Sequence, residues 1–373
     1  MKYVMEQPVK LGVIGCGRVF RGPYLSLIQP LRTRGLVGDI VACDSNPAVG
    51  GVVAGEPGVA AFTTDHREVL DDPEVDVVLV LTSMPEHGSI AKDALLAGKH
   101  VLVEKPMAIT LPEAAELVEL ARTSAGHLVC APFVILSPTF QAMWRHVTAG
   151  DIGRPTLARG RYGWAGPDWG PWFYQAGGGP LFDLGVYNVT ALTGLLGPVR
   201  RVSAFAGRVH PQRVVDGQLI DVETEDNFQI LLDFDNSVFA TVTTGFSMQK
   251  YRSPALEIYG TEGTIQMLGD DWAPEGHELW QNSEGAWKLY GSPNPSWPWT
   301  SGLEHLIESI AAGTRPLVTP EHAYHVLDIM LNAIESGRDG THHLVESTFA
   351  PLSFADGDPG EAAHRVHDRT HAS

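Results

Sequence analysis

From Val9 to Phe133 the sequence repeats one pattern: a short apolar run, a polar break, then an amphipathic stretch. The apolar runs are Val9–Gly15, Asp39–Asp44, Val75–Leu81, His100–Glu104 and His127–Phe133. Apolar runs this short, without strict alternation, read as strands buried on both faces. Val19–Leu31, Thr64–Leu70, Glu86–Leu96 and Leu111–Ser124 read as the helices between them. Pro23 falls near the start of the first, where proline is tolerated, and Gly98 closes the third. Strand–helix units of roughly 25–35 residues demand right-handed crossovers and a parallel sheet.

Beyond about residue 135 the texture changes. Gln141–Ala149 reads as a helix ending at Gly150. Tyr162-Gly-Trp-Ala-Gly-Pro-Asp-Trp-Gly-Pro-Trp-Phe-Tyr174 follows, and so many aromatic rings suggest a lid or pocket wall. Gly185–Leu196 is helical. Val199–Met267 alternates like a meander of antiparallel strands, among them Asn227–Phe234, Val238–Thr244 and Ala255–Tyr259. Ser301–Ala312 and Pro320–Ser336 are further helices.

The 373 residues are 44% hydrophobic, enough for two cores. A net charge of -18 repels nucleic acid and anionic lipid, which weighs against both as partners. Cys16, Cys43 and Cys130 have neither metal-ligand nor disulfide-framework spacing and read as buried thiols. Met1–Lys10 lacks an apolar signal core, and the apolar run Val75–Leu81 is too short to span a membrane. The cytoplasm is the expected compartment. No metal site is expected. The histidines near the C-terminus, His364, His367 and His371, have no periodic context to build one.

Three motifs carry chemistry. Gly15-Cys-Gly17-Arg18-Val19-Phe20 lies between the first strand and helix. Gly15 allows a tight turn, and Gly17 lets backbone approach a pyrophosphate at a helix N-terminus. Phe20 replaces the third glycine of the usual fingerprint, so the motif is weak by itself. Asp44, followed by Ser45, ends the second strand, where a carboxylate can accept from a ribose diol. It would repel a 2'-phosphate, favouring NAD, with NADP as the alternative.

The second motif, Glu104-Lys105-Pro106, follows the fourth strand. Ligands of open parallel sheets bind beyond the strands' carboxyl ends, so Lys105 is placed to polarise a hydroxyl or carbonyl. The third is Gly177-Gly-Gly-Pro-Leu-Phe-Asp183-Leu-Gly-Val-Tyr187. Asp183 and Tyr187, four apart, would share one helix face. A phenol near an ammonium can relay a proton. Each motif alone also fits a structural role: a plain strand–helix turn, a surface ion pair, or a buried tyrosine tied to an aspartate.

Taken together, these residues resemble the glucose–fructose oxidoreductase/inositol dehydrogenase (Gfo/Idh/MocA) family from about Lys10 to Gly340. Thr82, Ser83, Pro85 and His87 match the family's loop near the nicotinamide ring and ribose. The resemblance implies an N-terminal Rossmann domain over residues 1–135. Residues 136–345 would be an α+β substrate and oligomerisation domain with a large, mostly antiparallel sheet, and 346–373 a partly disordered tail. It implies a homo-dimer or homo-tetramer. Gly15, Gly17, Arg18, Val19, Asp44, Ser45, Thr82, Ser83, His87, Glu104 and Lys105 would bind the cofactor. Lys105, Asp183 and Tyr187 would be catalytic.

Many members carry histidine where this chain has Tyr187, but those resembling glucose–fructose oxidoreductase carry tyrosine. The family's usual Asn/Arg substrate residues are not evident in Ala131–Pro138. Arg161, Trp164, Asp168 and Trp172 are the candidate substrate contacts, with Trp169 and Tyr174 as further ring faces for sugar C–H groups. The expected reaction interconverts a hydroxyl and a carbonyl on a sugar, inositol or related polyol with a nicotinamide cofactor. Two alternatives are a lyase or glycoside-cleaving enzyme that oxidises a ring transiently, and a non-catalytic dinucleotide or sugar sensor.

Overall fold

The computed structural model describes residues 7–252 and 254–354, and the backbone of 365–368. Most of the tail expected over 346–373 therefore lies outside the described residues, as do His364, His371 and the side chain of His367. The chain groups into two compact units. One comprises Met1–Phe133 with Thr300–Tyr324, the other Val134–Trp299 with His325–Ser373.

The first unit is built on six parallel strands: β1 (Val9–Ile14), β2 (Val37–Cys43), β3 (Val59–Thr63), β4 (Val75–Val80), β5 (His100–Val103) and β6 (Leu128–Cys130). Their order, β3-β2-β1-β4-β5-β6, reverses between β1 and β4, and that is where doubly wound sheets bind ligands. Val77–Val80 and Val101–Val103 are wholly buried, so the apolar runs were readable. The edge strand β3 was not expected from sequence. Its side chains are half-buried or exposed, so it lacks the unbroken apolar signature of its neighbours. Asp65 and Thr110 cap the helices His66–Asp71 and Leu111–Thr123. The helix Gly302–Ala312 packs on β5 and β6, where a side chain at Gly302 would run into Phe133.

The second unit is a ten-stranded sheet in α+β style. Its strands are β7 (Pro155–Gly163), β8 (Arg201–Gly207), β11 (Asn227–Asp233), β12 (Phe239–Gly245), β13 (Leu256–Gly260), β14 (Gly263–Asp270), β15 (Ala273–Gln281), β16 (Ala286–Gly291), β17 (His343–Leu344) and β18 (Arg365–Asp368). A separate hairpin pairs β9 (Gln212–Val215) with β10 (Gln218–Asp221). The sheet order is β17-β8-β11-β12-β7-β13-β14-β15-β16-β18, antiparallel throughout except that β12 and β7 are parallel. The antiparallel run extends to Gly291, beyond the Met267 limit expected from sequence.

Alternation along β11 and β12 buries Phe228, Ile230, Leu232, Ala240 and Val242 and exposes the residues between. The helix Val186–Leu196 lies on the buried face, with Asn188 and Leu192 against Gly160 of β7. The opposite face carries exposed Leu157, Phe205 and Leu231. Among the described residues no helix is long and apolar enough to cross a membrane.

Candidate active site

In the first unit the site is laid out along the carboxyl edge of the sheet. Gly15 leaves β1 with φ +94°, a conformation that suits glycine. A Cβ there would stand 2.6 Å from the Leu81 carbonyl carbon and oxygen. Gly17 is different: a Cβ there would meet nothing within 4 Å, so the loop encloses open space against bare backbone. Asp44 ties this loop to β2. Its Oδ2 accepts from the Cys16 N–H at 2.9 Å and its Oδ1 from the Asn46 N–H at 2.9 Å. Carboxylate oxygens hold more than one acceptor site each, so the half-buried group retains capacity for a diol. Arg18 and Ser45 are exposed and Val19 half-buried beside it.

Phe20, where a third glycine was missing, is fully buried and opens a π-helical turn, Phe20–Tyr24, ahead of the helix Leu25–Thr33. Cys16 and Cys43 are buried free thiols, as expected, and burial pushes them up to about 12 and about 11. Gly15→Ala should therefore cost roughly 1–3 kcal/mol of stability, because backbone at Leu81 cannot yield. The same variant should lose NAD binding, read as the disappearance of the NAD-induced rise in melting temperature. A rise of parental size in Gly15→Ala would contradict this.

The loops after β4 and β5 lock together. His87 is 1% exposed. Its Nδ1 lies 2.8 Å from the Pro106 carbonyl and its Nε2 3.1 Å from the Thr82 carbonyl. The two carbonyls favour a charged ring, but burial outweighs them and lowers its pKa. His87 thus braces the Thr82–Ser83 loop against the Lys105–Pro106 turn. Thr82, Ser83 and Lys105 are each half-buried at this edge. Glu104 is anchored by Tyr24, whose hydroxyl donates to Oε1 at 2.9 Å, while Oε2 accepts the Lys105 N–H at 3.2 Å. Sequence reading missed Tyr24. Its only signal was a tyrosine beside Pro23 at a helix start.

In the second unit, Asp183 lies in a π-helical turn, Leu181–Gly185, and Tyr187 in the first turn of the α-helix Val186–Leu196. The expectation of one regular helix face for the pair is thus corrected: the widened turn changes the angle between them. Tyr187 is 8% exposed and Asp183 half-buried. The Tyr187 ring meets Tyr162 edge-on, with centroids 5.7 Å apart at 82°. Burial, then the charge of Asp183 and further acidic neighbours, raises the Tyr162 pKa far above the phenol range, so Tyr162 stays protonated.

Tyr251, from the loop after β12, donates to Asp270 at 2.6 Å. Asp271, next in the β14–β15 turn, is fully buried against Asn188. Tyr162, Tyr251, Asp270 and Asp271 were not singled out from sequence. Arg161, next to Tyr162, alternates to the other face of β7, though its charge still reaches Tyr251.

The aromatic loop is largely packed on itself. Trp172 stacks on Phe173 at 5.6 Å, and Trp169 is edge-on to both. Tyr174 is fully buried and donates to the Pro167 carbonyl at 2.7 Å, which corrects its reading as a ring face for sugar. Trp164 is 41% exposed, and the Asp168 side chain is exposed too. The β9–β10 hairpin clamps this loop. Arg213 donates to the Ala165 and Phe246 carbonyls at 2.5 and 2.6 Å and covers the Tyr174 ring. The Asp216 N–H donates to the Asp168 carbonyl at 2.8 Å, and its Oδ2 accepts from the Gly170 N–H at 3.1 Å.

A glycine turn at the switch point, a carboxylate on the next strand and a lysine on the carboxyl edge define a dinucleotide-binding unit of the Rossmann class. Residues 9–130 match the family described as "Oxidoreductase family, NAD-binding Rossmann fold", and residues 140–266 match the GFO/IDH/MocA C-terminal domain. The chain belongs to the GFO/IDH/MocA family of NAD-binding oxidoreductases. It is 27% identical to 1,5-anhydro-D-fructose reductase of Ensifer adhaerens, over 90% of this chain and 98% of that protein. It is 26% identical to scyllo-inositol 2-dehydrogenase (NAD(+)) of Bacillus subtilis strain 168, over 90% of this chain and 96% of that protein. Levoglucosan dehydrogenase, solved with NADH and levoglucosan, superposes with a TM-score of 0.82 at 22% identity, covering 91% of this chain and 100% of that one.

Proposed function

We propose that this chain interconverts a secondary hydroxyl and a ketone on a cyclic sugar, inositol or related polyol. The observation that carries the reading is the placement of the Gly15 turn and Lys105 on the same carboxyl edge of one parallel sheet. The open space at Gly17 and the retained acceptor capacity of Asp44 fit a dinucleotide, and Thr82, Ser83 and Lys105 line the edge beyond it. NAD, when bound, supplies the hydride acceptor.

The chain's own groups supply orientation and proton handling. Lys105 donates to the substrate oxygen and stabilises the negative charge that develops there. Tyr187 takes the hydroxyl proton. Asp183 fixes the substrate's orientation. Tyr162, held protonated, supports the Tyr187 ring without competing as a base. Trp164, Trp172, Asp168 and Arg161 are the candidate contacts to the remainder of the polyol.

Residues 136–345 then act as the substrate and assembly domain. The exposed sheet face carrying Leu157, Phe205 and Leu231 suits pairing with a second copy, giving a homo-dimer or homo-tetramer working in the cytoplasm. Three relatives by sequence or fold act on anhydrofructose, scyllo-inositol and levoglucosan, all compact cyclic polyols or their ketones.

The test is a thermal-shift panel with NAD and NADP, then with levoglucosan, scyllo-inositol and related cyclitols, followed by absorbance at the reduced-nicotinamide band. NAD should raise the melting temperature more than NADP, and at least one cyclic polyol should generate NADH. NADH formation from none of them, nor consumption with 1,5-anhydro-D-fructose, would sink the substrate class.

A further inference from the structure

The Asn188–Asp271 contact lies directly behind Tyr187 and has no role in the chemistry above. Asn188 is the next residue of the same helical turn, and its Nδ2 donates to Asp271 Oδ2 at 2.6 Å. Both side chains are fully buried. The amide oxygen Asn188 Oδ1 and the second carboxyl oxygen Asp271 Oδ1 have no hydrogen-bond partner among the described residues. A buried amide and a buried acid that share one hydrogen bond and each keep one orphan oxygen are two halves of an acid–amide ring. Only a proton on Asp271 closes it, by donating from Oδ1 to the amide oxygen. An ionised Asp271 would leave both oxygens without a donor between them, in a site with no water exposure.

We propose that Asp271 is a positioning residue: as a carboxylic acid it closes a two-bond ring with Asn188 and thereby fixes the helical turn that presents Tyr187. The proposal rests on the reading of Tyr187 as the proton acceptor. Gly160 of β7 touches Asn188 from below, where a Cβ would come within 2.9 Å of the Asn188 Cβ. Tyr162 meets Tyr187 on the other side.

The groups around Asp271 pull both ways: burial and Asp270 favour the acid, while the Asn188 hydrogen bond and the backbone N–H groups of Asp271 and Trp272 favour the carboxylate. Asp270 lies beside Asp271, Tyr162 and Tyr251 are phenols, and Asp183 adds negative charge near Tyr162. Arg161, a cation, acts on Tyr251. Burial outweighs the Asn188 bond and, with the charge of Asp270 and against the backbone N–H groups of Asp271 and Trp272, holds the Asp271 carboxyl up at about 8. The ring is therefore closed at neutral pH and opens as the pH climbs past that value.

The sign for stability follows. An acid whose folded pKa exceeds its unfolded one costs the folded state progressively more as pH rises from the unfolded value, and the cost levels off above the folded one. Asp271→Asn keeps an amide able to form both bonds with Asn188 and removes the ionisation. On the polyol and NAD pair identified by the panel, it should keep kcat within about twofold at pH 7 and lack the alkaline decline expected of the parent near pH 8. Its melting temperature should gain on the parent from pH 5 to pH 8 and then hold a constant lead.

Asp271→Ala and Asn188→Ala should keep the NAD-induced thermal shift but lower kcat about 10²-fold, the cost of a displaced reacting group. An alkaline decline unchanged in Asp271→Asn, or a parental kcat in Asp271→Ala, would overturn the proposal. Should the alanine variants not fold, the pH profile of Asp271→Asn decides. Failure of the base assignment reads differently: it would appear as turnover retained in Tyr187→Phe, whatever Asp271→Asn does.

Discussion

Tyr187→Phe should lower kcat by about 10²–10⁴-fold while leaving the fold and NAD binding intact. The substitution removes one hydroxyl from a side chain that is 8% exposed. The edge-on packing against Tyr162 needs only the ring, so the phenylalanine keeps that contact and most of its burial. What disappears is the acceptor for the substrate proton. The loss should fall on kcat rather than on the NAD-induced thermal shift, and the rise of activity with pH on the acid side should flatten. Steady-state rates from pH 5 to 10 on the parent and the variant check this. A variant that turns over at the parental rate would remove Tyr187 from the chemistry.

Lys105→Met should cost about 10²–10³-fold in turnover, with the larger share in kcat. Methionine preserves the length and apolar stem of the side chain, so the half-buried position stays filled. The main chain is held independently of the ammonium: Glu104 Oε2 accepts the Lys105 N–H, and His87 holds the Pro106 carbonyl. The loop should therefore survive while the positive charge facing the developing oxyanion is lost. A Lys105→Met enzyme with parental kcat would show that the lysine only completes a surface ion pair.

What could be read from the sequence follows from how completely each element is buried. β1, β2, β4, β5 and β6 lie inside the sheet or under helices, so burial selected runs of valine, leucine and isoleucine that show in the letters. β3, at the edge with a half-exposed pattern, had no such selection and passed unnoticed. Glycines at strand–helix turns and the Glu104-Lys105-Pro106 run were legible because their roles depend on local backbone. Tyr24, Tyr162 and Asp271 were not, since each acts through a partner between 25 and 83 residues away in sequence, or through burial that no local pattern encodes. No local pattern marks Asp271, in the turn between β14 and β15, for the full burial it has. Arg213 was likewise invisible: its two carbonyl acceptors come from the loops after β7 and β12. The aromatic loop was noticed for its rings, but which rings face outward is set by the hairpin that clamps it.

The double duty of Asp44 has a practical consequence for redesign. Its two oxygens hold the peptide nitrogens of Cys16 and Asn46, so the residue proposed to discriminate between coenzymes also fastens the turn proposed to hold the pyrophosphate. Exchanging it for a small or basic side chain to admit a phosphorylated ribose would unfasten that turn at the same stroke. A switch of coenzyme in this scaffold therefore calls for paired changes, one to welcome the phosphate and another to give the two orphaned amides a new acceptor.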